Sequence, residues 1–266
     1  MLVSLWTMLT GCSFVLIDEP CDSGEAATSD TAVVDDRSLW IDIAVGGAHT
    51  CALDVDGRTA CWGSDGYGQS APPPTPFTAL SLGYAHSCAL DSVGGVHCWG
   101  RNDDGETNVP EGEFISLSAG GAHTCALTGL GDAVCWGRGI EGQLEVPDGI
   151  WRSMDAGWDH TCGLDMDGGV RCWGNIAPLD SLPLGPFSSV SSGQYFGCVL
   201  DAGGQGWCSG SFEENVLDAV TQTEIAAGLE HVCTTNASGG VQCFGEDSVG
   251  QLSVPDRPMH GVSASP

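Results

Sequence analysis

The stretch Gly46-Gly47-Ala48-His49-Thr50-Cys51-Ala52-Leu53-Asp54-Val55-Asp56-Gly57-Arg58-Thr59-Ala60-Cys61-Trp62-Gly63 decides the fold. Its cysteines stand ten apart, with a glycine six after the first. A three-residue hairpin loop is a type I turn followed by a residue in the left-handed region, which glycine enters at no steric cost. Placing the loop at Val55-Asp56-Gly57 and counting outward sets Asp54 opposite Arg58, Leu53 opposite Thr59, Ala52 opposite Ala60 and Cys51 opposite Cys61. Ladder alternation makes the cysteines a non-hydrogen-bonded couple with Cα atoms about 4.5 Å apart, within disulfide reach.

The same arithmetic recurs along the chain, and such periodicity is the first thing to seek. Cys88 and Cys98, Cys125 and Cys135, Cys162 and Cys172, Cys198 and Cys208, and Cys233 and Cys243 repeat the spacing of Cys51 and Cys61. Their first members advance by 37, 37, 37, 36 and 35 residues. Glycine stands five before each first cysteine, at Gly46, Gly83, Gly120, Gly157, Gly193 and Gly228. Histidine stands two before it at His49, His86, His123, His160 and His231, with Phe196 in the fifth repeat. The second cysteine opens Cys-Trp-Gly at Trp62, Trp99, Trp136 and Trp173, while the fifth repeat is degraded there. Six within-hairpin disulfides are predicted. Metal ligation by the cysteines is the alternative, although short metal modules use closer couples such as C-x2-C. Each bridge closes a short loop worth about 2.8 kcal/mol by chain entropy.

A lead strand precedes each hairpin, as in Trp40 to Val45, Phe77 to Leu82, Phe114 to Ala119 and Trp151 to Ala156. Each repeat thus offers three or four short strands and no convincing helix. Blades of about 37 residues around a common axis hide their sheet edges, giving an all-β propeller. The pattern G-x-x-H-T-C-A-L, a glycine turn, C-W-G and G-Q-L-x-V-P resembles the regulator of chromosome condensation repeat over residues 39–266. The short repeats look closer to bacterial members than to the eukaryotic nucleotide-exchange protein. The resemblance implies a propeller, commonly of seven blades. This chain shows six hairpins and seven lead strands, counting Met259 to Ala264, so it has six blades, or seven with one incomplete.

Composition bounds the function. The chain of 266 residues holds 35 acidic and 7 basic residues, for a formal charge of −28, and no lysine. Such a chain repels phosphate backbones, so nucleic acid is not an expected partner. Residues 2–9 form an apolar run ending in Leu9-Thr10-Gly11-Cys12, which resembles a bacterial lipobox with Cys12 as the acylated residue, although no Lys or Arg precedes the run. The expected organisation is a signal segment over 1–12, an acidic disordered tether over 13–38 and the propeller over 39–266. Cys21, in the tether, is the odd thiol and pairs between chains, or with Cys12 if that residue is not acylated. Fourteen cysteines place the chain in an oxidising compartment: exported, at the outer membrane or cell surface, or secreted. Membrane contact is expected only through Cys12, and the chain is expected to be a monomer.

No catalytic set is evident: there is no G-x-S-x-G, phosphate loop or zinc-protease helix motif. No cofactor and no metal are predicted. The histidines are expected to bond backbone at a tight turn rather than to form a metal ring in the channel. Asp54-Val55-Asp56-Gly57 and Asp165-Met166-Asp167-Gly168 look like calcium loops but coincide with the hairpin turns and lack the further ligands of an EF-hand. The tryptophans after cysteine are expected to pack blades. Variable loops at 64–68, 101–105 and 175–182 are where selectivity is expected. The expected function is a non-catalytic envelope or secreted scaffold binding a protein partner through propeller loops. A glycan-binding module with exposed aromatics is the second reading, and an enzyme with carboxylates at the channel mouth the third.

Overall fold

The computed structural model describes residues 40–176, 182–211, 216–217, 221–248, 250 and 252–254. Cys12, Cys21, the signal segment, the tether and the last lead strand, Met259 to Ala264, lie outside these residues, as do positions 177–181 of the third variable loop. The chain is an all-β propeller, with six antiparallel blades among the described residues. The lead strands are Trp40–Val45, Ala79–Leu82, Phe114–Ala119, Trp151–Ala156, Phe187–Ser192 and Gln222–Ala227. The central strands are His49–Asp54, His86–Leu90, His123–Thr128, His160–Asp165, Phe196–Asp201 and His231–Asn236. The outer strands are Thr59–Gly63, Val96–Gly100, Ala133–Gly137, Val170–Gly174, Gly206–Gly210 and Val241–Gly245. A fourth strand, Val216–Leu217, occurs in blade 5.

The hairpin register is the one the glycine spacing dictates: Leu53 faces Thr59, Ala52 faces Ala60 and Cys51 faces Cys61. Gly57 has φ of +81° and donates its N–H to the Asp54 carbonyl. The Asp54 carboxylate accepts N–H bonds from Asp56 and Arg58 at 2.9 Å each, so the Asp-x-Asp-Gly string is an Asx turn. Asp165 does the same for Asp167 and Gly169. Opposed cysteines have Cα separations of 4.0–4.1 Å, and all six pairs are disulfides.

Central strands are buried almost throughout, and those of blades 2 to 5 each lie between two other blades. Their alternation is therefore of size rather than polarity. In blade 1, Cys51 and Leu53 pack onto blade 2, against Leu82 and Trp99 and against Phe77 and Ala89 respectively. Full burial of such a leucine is worth about 2 kcal/mol.

Three polar devices repeat at blade junctions. First, the histidine bonds a hydroxyl of the following central strand: His49 to Ser87 at 2.8 Å, His86 to Thr124 at 2.9 Å and His123 to Thr161 at 2.8 Å. The partner is a side chain of the next blade, not the backbone of the turn. The repeat glycine makes room: a Cβ on Gly46 would collide with the His49 ring and with the Gly83 carbonyl. Second, the tryptophan indole donates to a loop of the preceding blade, Trp99 to the Gln69 carbonyl, Trp136 to Glu106 and Trp173 to Gln143, at 2.8–2.9 Å. Third, a side chain near the end of one lead strand takes an N–H of the next. Ser81 accepts from Ala119, Ser118 from Ala156 and Ser191 from Ala227. Asp155 holds the equivalent place and accepts from Ser192 at 2.6 Å. Each such bond is worth about 1 kcal/mol net, and more is lost if one partner is left buried alone.

Blade 5 departs from the rule coherently. Phe196 replaces the histidine, Val232 replaces the following hydroxyl, and the two share one apolar cluster. Gly197 removes the hydroxyl that His160 would use, and the ring lies instead against the backbone of Gln194 and Phe196 without a hydrogen bond of good geometry. Among the described residues the regularity also stops after blade 6. No next-blade carbonyl lies near Gly228, and the Thr50 hydroxyl is buried without a partner.

Candidate functional site

The turns joining lead and central strands gather at one end of the propeller around its axis. Each outer strand exits beside the turn of its own blade: Ser64 donates to the Ala48 carbonyl, Arg101 to Ala85, Arg138 to Ala122, Asn175 to Asp159 and Glu246 to Glu230. The first two variable loops and the start of the third therefore share this turn face. The Asx hairpins occupy the opposite end.

The residue after each repeat glycine reads Gly47, Tyr84, Gly121, Trp158, Gln194 and Leu229. The Tyr84 ring occupies the space a side chain on Gly47 would take, and the Trp158 carbonyl, with its ring behind it, fills the equivalent space over Gly121. Across glycine-only blade 3, the Tyr84 and Trp158 rings meet edge to face, centroids 5.0 Å apart at 70°. That geometry places a positive ring edge against a negative ring face. The backbone fixes the arrangement: Gly121 donates to the carbonyls of Gly157 and Trp158, Trp158 to Gly193 and Gln194 to Leu229. Tyr84 is 46% exposed, and Tyr195 and Leu229 more than a third, so the hub is open to solvent although its backbone is tied.

Carboxylates surround the hub. Asp65, Asp103, Asp104, Glu141 and Glu230 are exposed in the turns and exit loops. Arg101 is held by Asp103 at 2.8 Å and Asp104 at 3.1 Å. Partial burial raises the Asp159 carboxyl above its usual range, an effect Arg138 opposes and Glu141 reinforces.

The histidines carry no such surface chemistry. Burial lowers His49 to about 4, His86 to about 3, His123 to about 3 and His160 to about 4, so the rings are neutral at pH 7. Among the described residues, no group of three or more His, Cys, Asp or Glu is placed to hold a metal ion. Three of the tryptophans after cysteine are committed to blade bonds rather than to a ligand platform. Sequence reasoning missed Tyr84, Trp158, Tyr195 and Leu229. For Tyr84 and Trp158 the available signal was the alternation Gly47, Tyr84, Gly121, Trp158 after the repeat glycine.

Comparison with known proteins agrees with this geometry. The family model described as "Regulator of chromosome condensation (RCC1) repeat" matches residues 40–69, 77–106, 114–143 and 151–175, which fall in the first four repeats. Among curated proteins, no sequence matches the chain. The ectodomain of the Physcomitrella patens receptor kinase CR4 is 29% identical with a TM-score of 0.69, over 79% of this chain and 62% of that one. The chain thus spans less than two thirds of the moss ectodomain. The ectodomain of the Arabidopsis thaliana receptor kinase ACR4 is 26% identical with a TM-score of 0.67, over 79% of this chain and 80% of that one. Prp20p of Saccharomyces cerevisiae, studied for its binding to Gsp1p and histones, shares the fold at 19% identity and a TM-score of 0.70, over 84% of this chain and 76% of that one. Residues 40–175 thus carry four regulator of chromosome condensation (RCC1) repeats, in a chain that shares the propeller fold of these neighbours.

Proposed function

We propose that the chain is an exported interaction scaffold that binds a protein partner through its turn face. One observation carries the reading. Tyr84, Tyr195 and Leu229 stay exposed on the tied backbone of the turn face, and Tyr84 pairs edge to face with Trp158 there. Exposed aromatics on a preorganised surface supply contact area at little entropic cost, which is the profile of an interface anchor. Six disulfides and the likeness to two receptor ectodomains support an oxidising, extracellular setting. Lipidation at Cys12, a tether over 13–38 and attachment at the outer membrane or cell surface belong to the same proposal.

The test is site-specific photo-crosslinking in intact cells. A photoreactive residue replacing Tyr84 is expected to trap a discrete protein adduct, and one replacing Val93 on the hairpin face is expected to trap none. No adduct from position 84, or the same adduct from both, refutes the assignment. Mass measurement of the mature N-terminus tests the lipid anchor: a free Cys12 thiol or an unprocessed Met1 removes it.

A further inference from the structure

We propose that the turn face receives a cationic, arginine-bearing segment of its protein partner, an arginine seating on the Tyr84–Trp158 pair. This rests on the turn face being the interaction surface. The hub offers two aromatic rings at 5.0 Å, and Tyr84 is the more open to solvent. Its rim is acidic on several sides: Asp65 after blade 1, Asp103 and Asp104 after blade 2, Glu141 after blade 3, and Glu230 in the blade 6 turn. Of the described basic residues on this face, Arg101 is already paired and Arg138 lies beside Asp159 and Glu141.

An apolar partner alone would leave these carboxylates facing an uncharged surface, and an acidic partner would be repelled by a chain of formal charge −28. A cation satisfies both features, because an aromatic face attracts positive charge and the rim adds long-range attraction. Arginine fits better than lysine. Its planar guanidinium stacks on a ring while its edge donors reach carboxylates, and it is less strongly hydrated.

The test uses the folded, oxidised chain with deca-arginine, deca-lysine and deca-glutamate as probes, titrated by calorimetry at 50 and 300 mM salt. Deca-arginine is expected to bind more tightly than deca-lysine, and deca-glutamate not at all. Tyr84→Leu and Trp158→Leu keep apolar area but remove the rings. Each is expected to weaken deca-arginine by about two- to five-fold while leaving deca-lysine nearly unchanged. Glu230→Gln with Glu141→Gln is expected to weaken both and to flatten the salt dependence. An unchanged urea midpoint shows that each variant is folded. Absence of deca-arginine binding, or binding that the two leucine variants leave intact, overturns the proposal. A protein adduct trapped from position 84 while deca-arginine fails to bind would preserve the interaction surface and eliminate only its cationic partner.

Discussion

Asp155 is the one carboxylate in the series of side chains that tie lead strand to lead strand, and replacing it by asparagine should make the propeller more stable at neutral pH. Its oxygens take the Ser192 N–H at 2.6 Å and the hydroxyls of Ser118 at 3.1 Å and Ser191 at 3.2 Å, with no cation among these partners. Burial raises its pKa to about 6 from the ordinary carboxyl value of 3.8, against the lowering effect of those three bonds. The native state therefore holds this proton more tightly than the unfolded chain does. The carboxyl's contribution is fully present below pH 3.8, falls as pH rises, and is lost by about pH 6. Two pKa units correspond to about 3 kcal/mol. Asp155 keeps partial solvent exposure, so that figure is a ceiling and about 1–3 kcal/mol is expected. Asp155→Asn retains an acceptor for Ser192 and removes the charge. The assay is urea unfolding by tryptophan fluorescence at pH 4 to 7.5, disulfides intact, comparing variant with parent at each pH. Buried neutral histidines destabilise both proteins alike as pH falls below 6.5, so they cancel in the difference. The gain should be near zero at pH 4 and reach its plateau above pH 6. A difference that does not vary with pH, or a loss at pH 7, refutes the reasoning.

Other outcomes follow from the junctions. Thr124→Val should cost about 1–3 kcal/mol because it strands the His86 ring, whereas Thr50→Val should cost nothing, its hydroxyl being unpartnered; urea midpoints compare the two. The pair His123→Phe with Thr161→Val copies Phe196 and Val232 and should lessen the loss of stability between pH 6.5 and pH 4, read from the same titration; an unchanged acid slope refutes it. Removing one bridge by Cys125→Ala with Cys135→Ala should lower stability by about 2.8 kcal/mol on the chain-entropy model, measured against the six-bridge protein under non-reducing conditions.

The hairpins were legible because covalent and steric constraints fix them locally. A separation of ten between cysteines and a glycine at the sixth position admit one ladder register, and Cys51 meets Cys61 as that register requires. The lead strands were readable from their alternation, apart from Phe77 and Thr78, which precede the strand beginning at Ala79. Side chains acting between blades were not legible. The distance from His49 to Ser87 spans 38 residues, and no local pattern says that an imidazole two before one cysteine meets the hydroxyl one before the next. Tyr84 and Trp158 escaped for a related reason. Each is ordinary within its own repeat, and their meeting depends on Gly121 in the blade between them.

The blade junction, rather than the blade, is the unit that the residues specify. Histidine with hydroxyl joins blades 1 to 2, 2 to 3 and 3 to 4, and phenylalanine with valine joins blades 5 to 6. Each pair is matched in polarity, since a lone buried imidazole or hydroxyl costs more than the matched bond returns. At the junction of blades 4 and 5, His160 faces Gly197 and the match fails; those blades are still joined by Asp155 with Ser191 and Ser192 and by the Leu164, Phe187 and Val199 cluster. Blades 5 and 6 both lack the Cys-Trp-Gly ending and neither is matched by the family model. Loss of the repeat signature thus begins at the junction where the polar match fails. A change in a surface loop touches its own blade alone, whereas a change on a central strand, as at Gly197, reaches a partner one blade away. Gly197→Ser tests this by offering His160 an acceptor. It should raise the urea midpoint of the parent and have no such effect when His160 is already phenylalanine.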